Sequence, residues 1–192
     1  MAKRRKIDDR ARHEFWKDQY QERLEKPHSW LFSSMSLKRA ANVLWCQVQE
    51  DNKTVLNSDH DKISKSISST LLLVLGYCIE NLIKGLCIQK EGAFKNNGEF
   101  RFKNHKLLDL LDKVDIHLSD EEIELTERLE QFIIWAGKYP GPLVYSDLMP
   151  RTLSNGGFAP LESVCIPKDY EIAIKLVDKL ETSLKDSKKS NI

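Results

Sequence analysis

Cysteine is scarce and poorly placed for metal. The chain has four, Cys46, Cys78, Cys87 and Cys165, and no C-x-x-C pair among them. Cys78 and Cys87, the nearest two, stand nine residues apart, the wrong spacing for a zinc knuckle. Neither a metal nor another cofactor is expected. Cys46, Cys78 and Cys87 fall within apolar helical patterns, so buried, reduced thiols are expected, as suits a cytoplasmic protein. A charge excess is missing too. With 30 Lys+Arg against 29 Asp+Glu, the net charge of +1 gives no global field to steer the chain to nucleic acid. Any such contact needs a local patch. A lipid-spanning run is also absent: the longest apolar stretch, Thr70 to Ile88, is interrupted by Glu80, Asn81 and Lys84. A core helix tolerates those groups and a bilayer does not, so no membrane association is expected. After Met1-Ala2-Lys3-Arg4-Arg5-Lys6 comes charge and not an apolar stretch, so no secretory signal is expected.

What is present reads as one helical domain. The chain has 192 residues, 41% hydrophobic and 31% charged, which fits a single folded unit and not a disordered tail. Residues 1–28 form a polar, basic arm in which Phe15, Trp16 and Tyr20 suggest a short amphipathic helix docking on the core, ended by Pro27. The run Lys3 to Lys6 can contact phosphate, although terminal charge is more commonly just solvated. A first core helix is expected from Ser36, with Leu37, Ala40, Ala41, Leu44, Trp45 and Val48 at helical spacing. A second, from about Ser64 to Gln89, is apolar on too wide a face for a surface helix and should be the centre of the bundle. Asn96-Asn97-Gly98 can close a small hairpin within residues 93–102. Asn104 or His105 opens a third helix through Val114. Ser119-Asp120-Glu121-Glu122 is a capping box opening a fourth, which Gly137 stops. Five of the six prolines lie in residues 139–167, a stretch read as a long surface loop. Pro167 opens the last helix and residues 187–192 should fray. The fold class is therefore all-α, a single bundle over 29–186.

Three segments then stand out: Gly76-Tyr77-Cys78-Ile79-Glu80-Asn81-Leu82-Ile83-Lys84-Gly85, His105-Lys106-Leu107-Leu108-Asp109-Leu110-Leu111, and Trp135-Ala136-Gly137-Lys138-Tyr139-Pro140-Gly141-Pro142. In this order and at these separations they resemble a branch of the HEPN superfamily, over roughly residues 36–142. The resemblance implies a four- to five-helix bundle that pairs into a homodimer. It further implies an RNA or nucleotide ligand and, commonly, metal-independent ribonuclease activity in toxin–antitoxin or antiviral systems, with a cognate antitoxin or defence partner. Such enzymes carry an Arg-x(4–6)-His motif late in the bundle. The one match here, Arg23 to His28, precedes the bundle, and Lys138 stands where that branch has arginine. A non-catalytic dimerising, ligand-binding or adaptor module is therefore the alternative.

The candidate site follows from both lines. Glu80 in the most apolar helix must be paired or face a cavity, since an unpartnered buried carboxylate costs several kcal/mol, roughly. Its bland role is an i, i+4 pair with Lys84; its sharper role is a polar recess shared with Asn81. His105 either caps a helix or serves as general acid or base toward a ribose 2′-hydroxyl, the proton exchange that suits an imidazole. Lys84, Arg101 or Lys138 would supply the cation for phosphorane charge. Trp135 and Tyr139 are core anchor and helix exit, or the aromatic wall of the site. Glu80, His105 and Lys138 are thus the catalytic candidates, with Asn81, Lys84, Arg101, Trp135 and Tyr139 binding substrate. Residues 84–106 carry six Lys/Arg against two Glu and form the candidate phosphate patch. Seven acids between Asp115 and Glu130 form either a solvated face or a docking surface for a basic partner.

Overall fold

A computed structural model describes residues 9–55, 64–139, 141–142, 144–152, 158–159 and 165–186. The apolar stretch of the sequence becomes its axis: helix α3, Ser64–Glu91, packs against every other long core helix. Leu71, Leu72, Leu75, Ile79, Leu82 and Ile83 are at most 1% exposed. Each such side chain contributes about 1.5–3 kcal/mol through its burial. By length and composition, residues Ile67–Glu91 would suffice to cross a membrane, but 78% of that window is buried inside the protein, as a core helix is.

Around α3 lie α2 (Pro27–Val55), α5 (Asp120–Gln131) and α6 (Pro167–Asp186), with the single turn α4 (Leu107–Leu111) wedged between α3 and α5. The chain is an all-α bundle. A preceding helix, α1 (Asp9–Glu25), joins α2 across the one non-helical residue Lys26. Pro27 thus begins a helix where the sequence suggested an end, and the first core helix starts nine residues before Ser36. Proline suits a first helical position because the missing N–H has no helical acceptor there. Ser36 is no cap; its hydroxyl donates to the Phe32 carbonyl one turn back. The arm also differs from expectation in its docking. No residue of α1 is buried, and Phe15, Trp16 and Tyr20 are all more than half exposed. The junction is held by Trp30, whose indole N–H donates to the Leu24 carbonyl at 3.0 Å.

The third helix is shorter than its leucine pattern. Leu107, Leu110 and Leu111 are buried, but the chain leaves the helix at Asp112. Four leucines in five residues satisfy several periodicities, so spacing alone could not set the length. Before it, Phe94 and Phe100 pair as an antiparallel bridge around Asn96-Asn97-Gly98, with Gly98 at φ 78°, closing the small hairpin. Ser119 and Glu122 form the capping box of α5. Beyond Gln131 the helix widens into a π turn, Phe132–Ala136, and Gly137 follows. A β-carbon on Gly137 would lie 2.7 Å from Cβ of Leu73, and one on Gly76 would lie 2.8 Å from Cγ1 of Ile133. These glycines let α3 and the α5–π segment approach closely.

Within residues 139–167, the described parts are a 3₁₀ turn, Tyr145–Leu148, and an antiparallel pair of two-residue strands, β1 (Arg151–Thr152) and β2 (Phe158–Ala159). The basic run Lys3 to Lys6 and the tail 187–192 lie outside the described residues. The acidic segment is largely engaged: Arg128 meets Asp169 at 2.6 Å, and Glu121 and Glu122 pair with Lys168 and Lys179 across α5 and α6. Part of this face is thus paired with α6, at its solvent-exposed edge. Of the thiols, Cys78, Cys87 and Cys165 are buried, whereas Cys46 is exposed, on the outer side of α2.

Candidate functional site

Two elements meet at Glu80. The residue lies on the central helix, 4% exposed, and its Oε1 is 2.7 Å from Nζ of Lys84 one turn later. Lys84 is itself 6% exposed, so this is a buried ion pair and not a surface i, i+4 contact. The same oxygen lies 2.8 Å from Nδ1 of His105, which arrives on the segment between the hairpin and α4. A carboxylate paired with ammonium only accepts hydrogen bonds, so Nδ1 carries the proton and donates. That fixes the tautomer and leaves the lone pair on Nε2. The His105 side chain is 47% exposed, so the ring spans from the buried carboxylate to solvent.

A second carboxylate braces the segment carrying His105. Oε2 of Glu130, on α5, accepts from the backbone N–H of Leu107 at 2.6 Å, and the Leu108 amide contributes as well. Burial pushes the Glu130 carboxyl above its usual range, opposed by these two amides. Glu130 caps α4 from another helix and so sets the position of His105 two residues earlier. Sequence reasoning missed it. The signal was available, because Glu130 is flanked by Leu129 and the apolar run Phe132-Ile133, the same context that marked Glu80.

The other expected members lie elsewhere. Asn81 is turned back on its own helix, donating from Nδ2 to the Tyr77 carbonyl at 2.7 Å. Arg101 belongs to the hairpin; its Nε donates to the Phe94 carbonyl at 2.9 Å. Trp135 is 8% exposed, its indole N–H bonded to Oε1 of Gln131, so it is a core anchor and not a site wall. Lys138 and Tyr139 are both exposed, the ammonium 6.0 Å from the phenol ring centre. The glycine between Trp135 and Lys138 packs on Leu73, seven residues before Glu80 and so about 10 Å away along the helix. The single recess expected for all these groups is therefore two places on α3: acid, ammonium and imidazole share one, and Gly137 seats on the other.

The cations of the basic stretch 84–106 are mostly paired, with acids inside and outside it. Lys95 and Lys103 both reach Glu99, at 3.1 and 2.9 Å, and these hydrogen bonds, Lys103 first, push its carboxyl down to about 2. Lys84 is occupied by Glu80. Among the described residues, no group of three or more His, Cys, Asp or Glu could hold a metal ion. A cavity of about 490 Å³ opens beside the C-terminal end of α4, lined by Leu111, Val114, Ile116 and Ile123 among others, and none of the expected site residues borders it. Compared with protein-family models, curated proteins and solved structures, the chain matches none of them.

Proposed function

We propose that this chain is a HEPN-like helical protein directed at RNA, a metal-independent endoribonuclease of toxin or antiviral-defence type. In this reading it works in the cytoplasm as a homodimer, with a cognate antitoxin or defence partner. One observation carries the catalytic part: a half-exposed imidazole oriented by a buried carboxylate, His105 on Glu80 at 2.8 Å. A carboxylate that fixes one ring nitrogen leaves the other to take a proton, the role of a general base. Nε2 of His105 takes the proton of a ribose 2′-hydroxyl, O2′ bonds to the adjacent phosphorus, and the P–O5′ bond breaks. The leaving O5′ takes a proton from solvent, giving a 2′,3′-cyclic phosphate and a 5′-hydroxyl. Lys84, 2.7 Å away, holds Glu80 in place.

A specific observation favours a second reading. Among the described residues, the cations expected to receive phosphorane charge are engaged elsewhere, Arg101 with the Phe94 carbonyl and Lys84 with Glu80. In that reading the bundle is a non-catalytic dimerising, ligand-binding or adaptor module, and Glu80–His105 is a structural latch. Incubating the protein with mixed RNA in EDTA separates the two. Cleavage that survives EDTA and disappears in His105→Ala supports the enzyme. RNA left intact by the wild-type protein, with His105→Ala changing only stability, supports the module.

A further inference from the structure

From the surface of α1 we infer that this helix is a binding platform for single-stranded RNA. The inference rests on the ribonuclease reading only for the identity of the strand as RNA. Arg12, Trp16, Tyr20 and Arg23 recur at helical spacing and share one face. Glu14, Asp18, Glu22 and Glu25 repeat the same spacing two residues later, about 200° around the helix, on the opposite face. Asp9 shares the first face and Arg10 and Lys17 lie toward the second, so the first carries two cations to one acid and the second two cations to four acids. Nothing in the bundle uses the first side fully: no residue of α1 is buried, with Trp16 58% and Tyr20 54% exposed. Guanidinium groups alternating with exposed aromatic rings suit a phosphate backbone whose bases stack in turn. Four of the five acids of α1 lie away from that strand, and Asp9 stands at its end.

The platform continues toward His105. The Tyr20 ring lies 6.1 Å from Phe94, and Phe94 lies 6.0 Å from Phe100 across the hairpin. From there the chain runs without helix to Lys106, with Phe102 buried and Arg101, Lys103, Asn104, His105 and Lys106 exposed. The Lys103–Glu99 pair is exposed and so is readily exchanged for phosphate.

The test is fluorescence anisotropy of a fluorescein-labelled single-stranded oligouridylate with the full chain in EDTA, over a salt series. Trp16→Ala is expected to weaken binding about tenfold, the loss of one stacked base. Arg12→Gln and Arg23→Gln should each lower the slope of log affinity against log salt by about 0.7. Glu14→Gln should leave affinity at least as high. Circular dichroism checks that each variant keeps its helix content. Wild-type protein that does not bind, or α1 variants that bind like wild type, overturn the platform. Equal binding by phosphatidylserine vesicles with the same dependence and none to RNA overturns it in favour of a lipid surface. Loss of a sedimenting dimer with RNA affinity unchanged overturns it in favour of a second copy. Binding that depends on α1 without any cleavage leaves the platform standing and sinks the enzyme. Cleavage that needs His105 but ignores α1 does the reverse.

Discussion

His105 and Lys84 share a single acceptor, Oε1 of Glu80, at 2.8 and 2.7 Å. Glu80 is buried, so both donors are fixed by it, and the imidazole is anchored to the central, buried helix. Chemistry proposed for His105 and stability of the core thus pass through the same atom.

Replacing Glu80 by Gln should accordingly cost about 3–5 kcal/mol, because Lys84 is left as a buried ammonium without its counter-ion. The double variant Glu80→Gln/Lys84→Met should recover most of that loss, since it removes the stranded charge as well. Urea denaturation measures both. A single variant costing under about 1 kcal/mol would show that water reaches the pair.

Glu130 makes the bundle sensitive to pH in a defined direction. Its carboxyl is raised by burial, so the fold favours the protonated form. That gain is complete below the unfolded-state value and is lost as pH rises through the folded one. Measured against Glu130→Gln, the wild-type protein should lose stability from mildly acidic to neutral pH. Denaturant midpoints of the two proteins, compared at each pH, should diverge in favour of glutamine as pH rises. A constant difference would mean that the Leu107 and Leu108 amides outweigh the burial.

The sequence revealed the bundle more readily than the site because apolar spacing reports burial residue by residue. Leu71, Leu75, Ile79 and Leu82 were legible as core, and the capping box at Ser119 and Glu122 appears as written. Long-range pairing leaves no such trace. Glu80 called for a partner, and Lys84 was offered at i, i+4, but His105 is 25 residues away and nothing local joins them. Arg101 and Lys138 were grouped with them on charge alone, and the hairpin and the Gly137 contact direct both elsewhere. Pro27 was misread because proline serves equally as a stop and as a first residue; the decision depends on whether residues after it find a core.

Gly76 and Gly137 are tied to packing between α3 and the α5–π segment. A methyl group at position 76 would meet the Ile133 side chain at 2.8 Å and the Leu129 carbonyl at 3.2 Å. Gly76→Ala should therefore separate α3 from α5 and cost about 1–3 kcal/mol, despite the better helix propensity of alanine. Thermal unfolding reads the result. A variant as stable as wild type would show that Ile133 can rotate away freely.

Thiol reactivity tests the core directly. Burial pushes Cys78 and Cys87 up to about 11 and Cys165 up to about 12, so almost no thiolate exists on them at neutral pH. Cys78 is further enclosed by Ser34, whose hydroxyl donates to the Cys78 carbonyl at 3.0 Å. Cys46 is exposed on α2. Alkylation of native protein followed by peptide mass spectrometry should label Cys46 at least tenfold faster than the other three, roughly the margin that burial and thiolate fraction together impose. In denaturant, all four should react at similar rates. Rapid native labelling of Cys78 or Cys87 would mean that α3 opens, and with it the Glu80 anchor on which His105 depends.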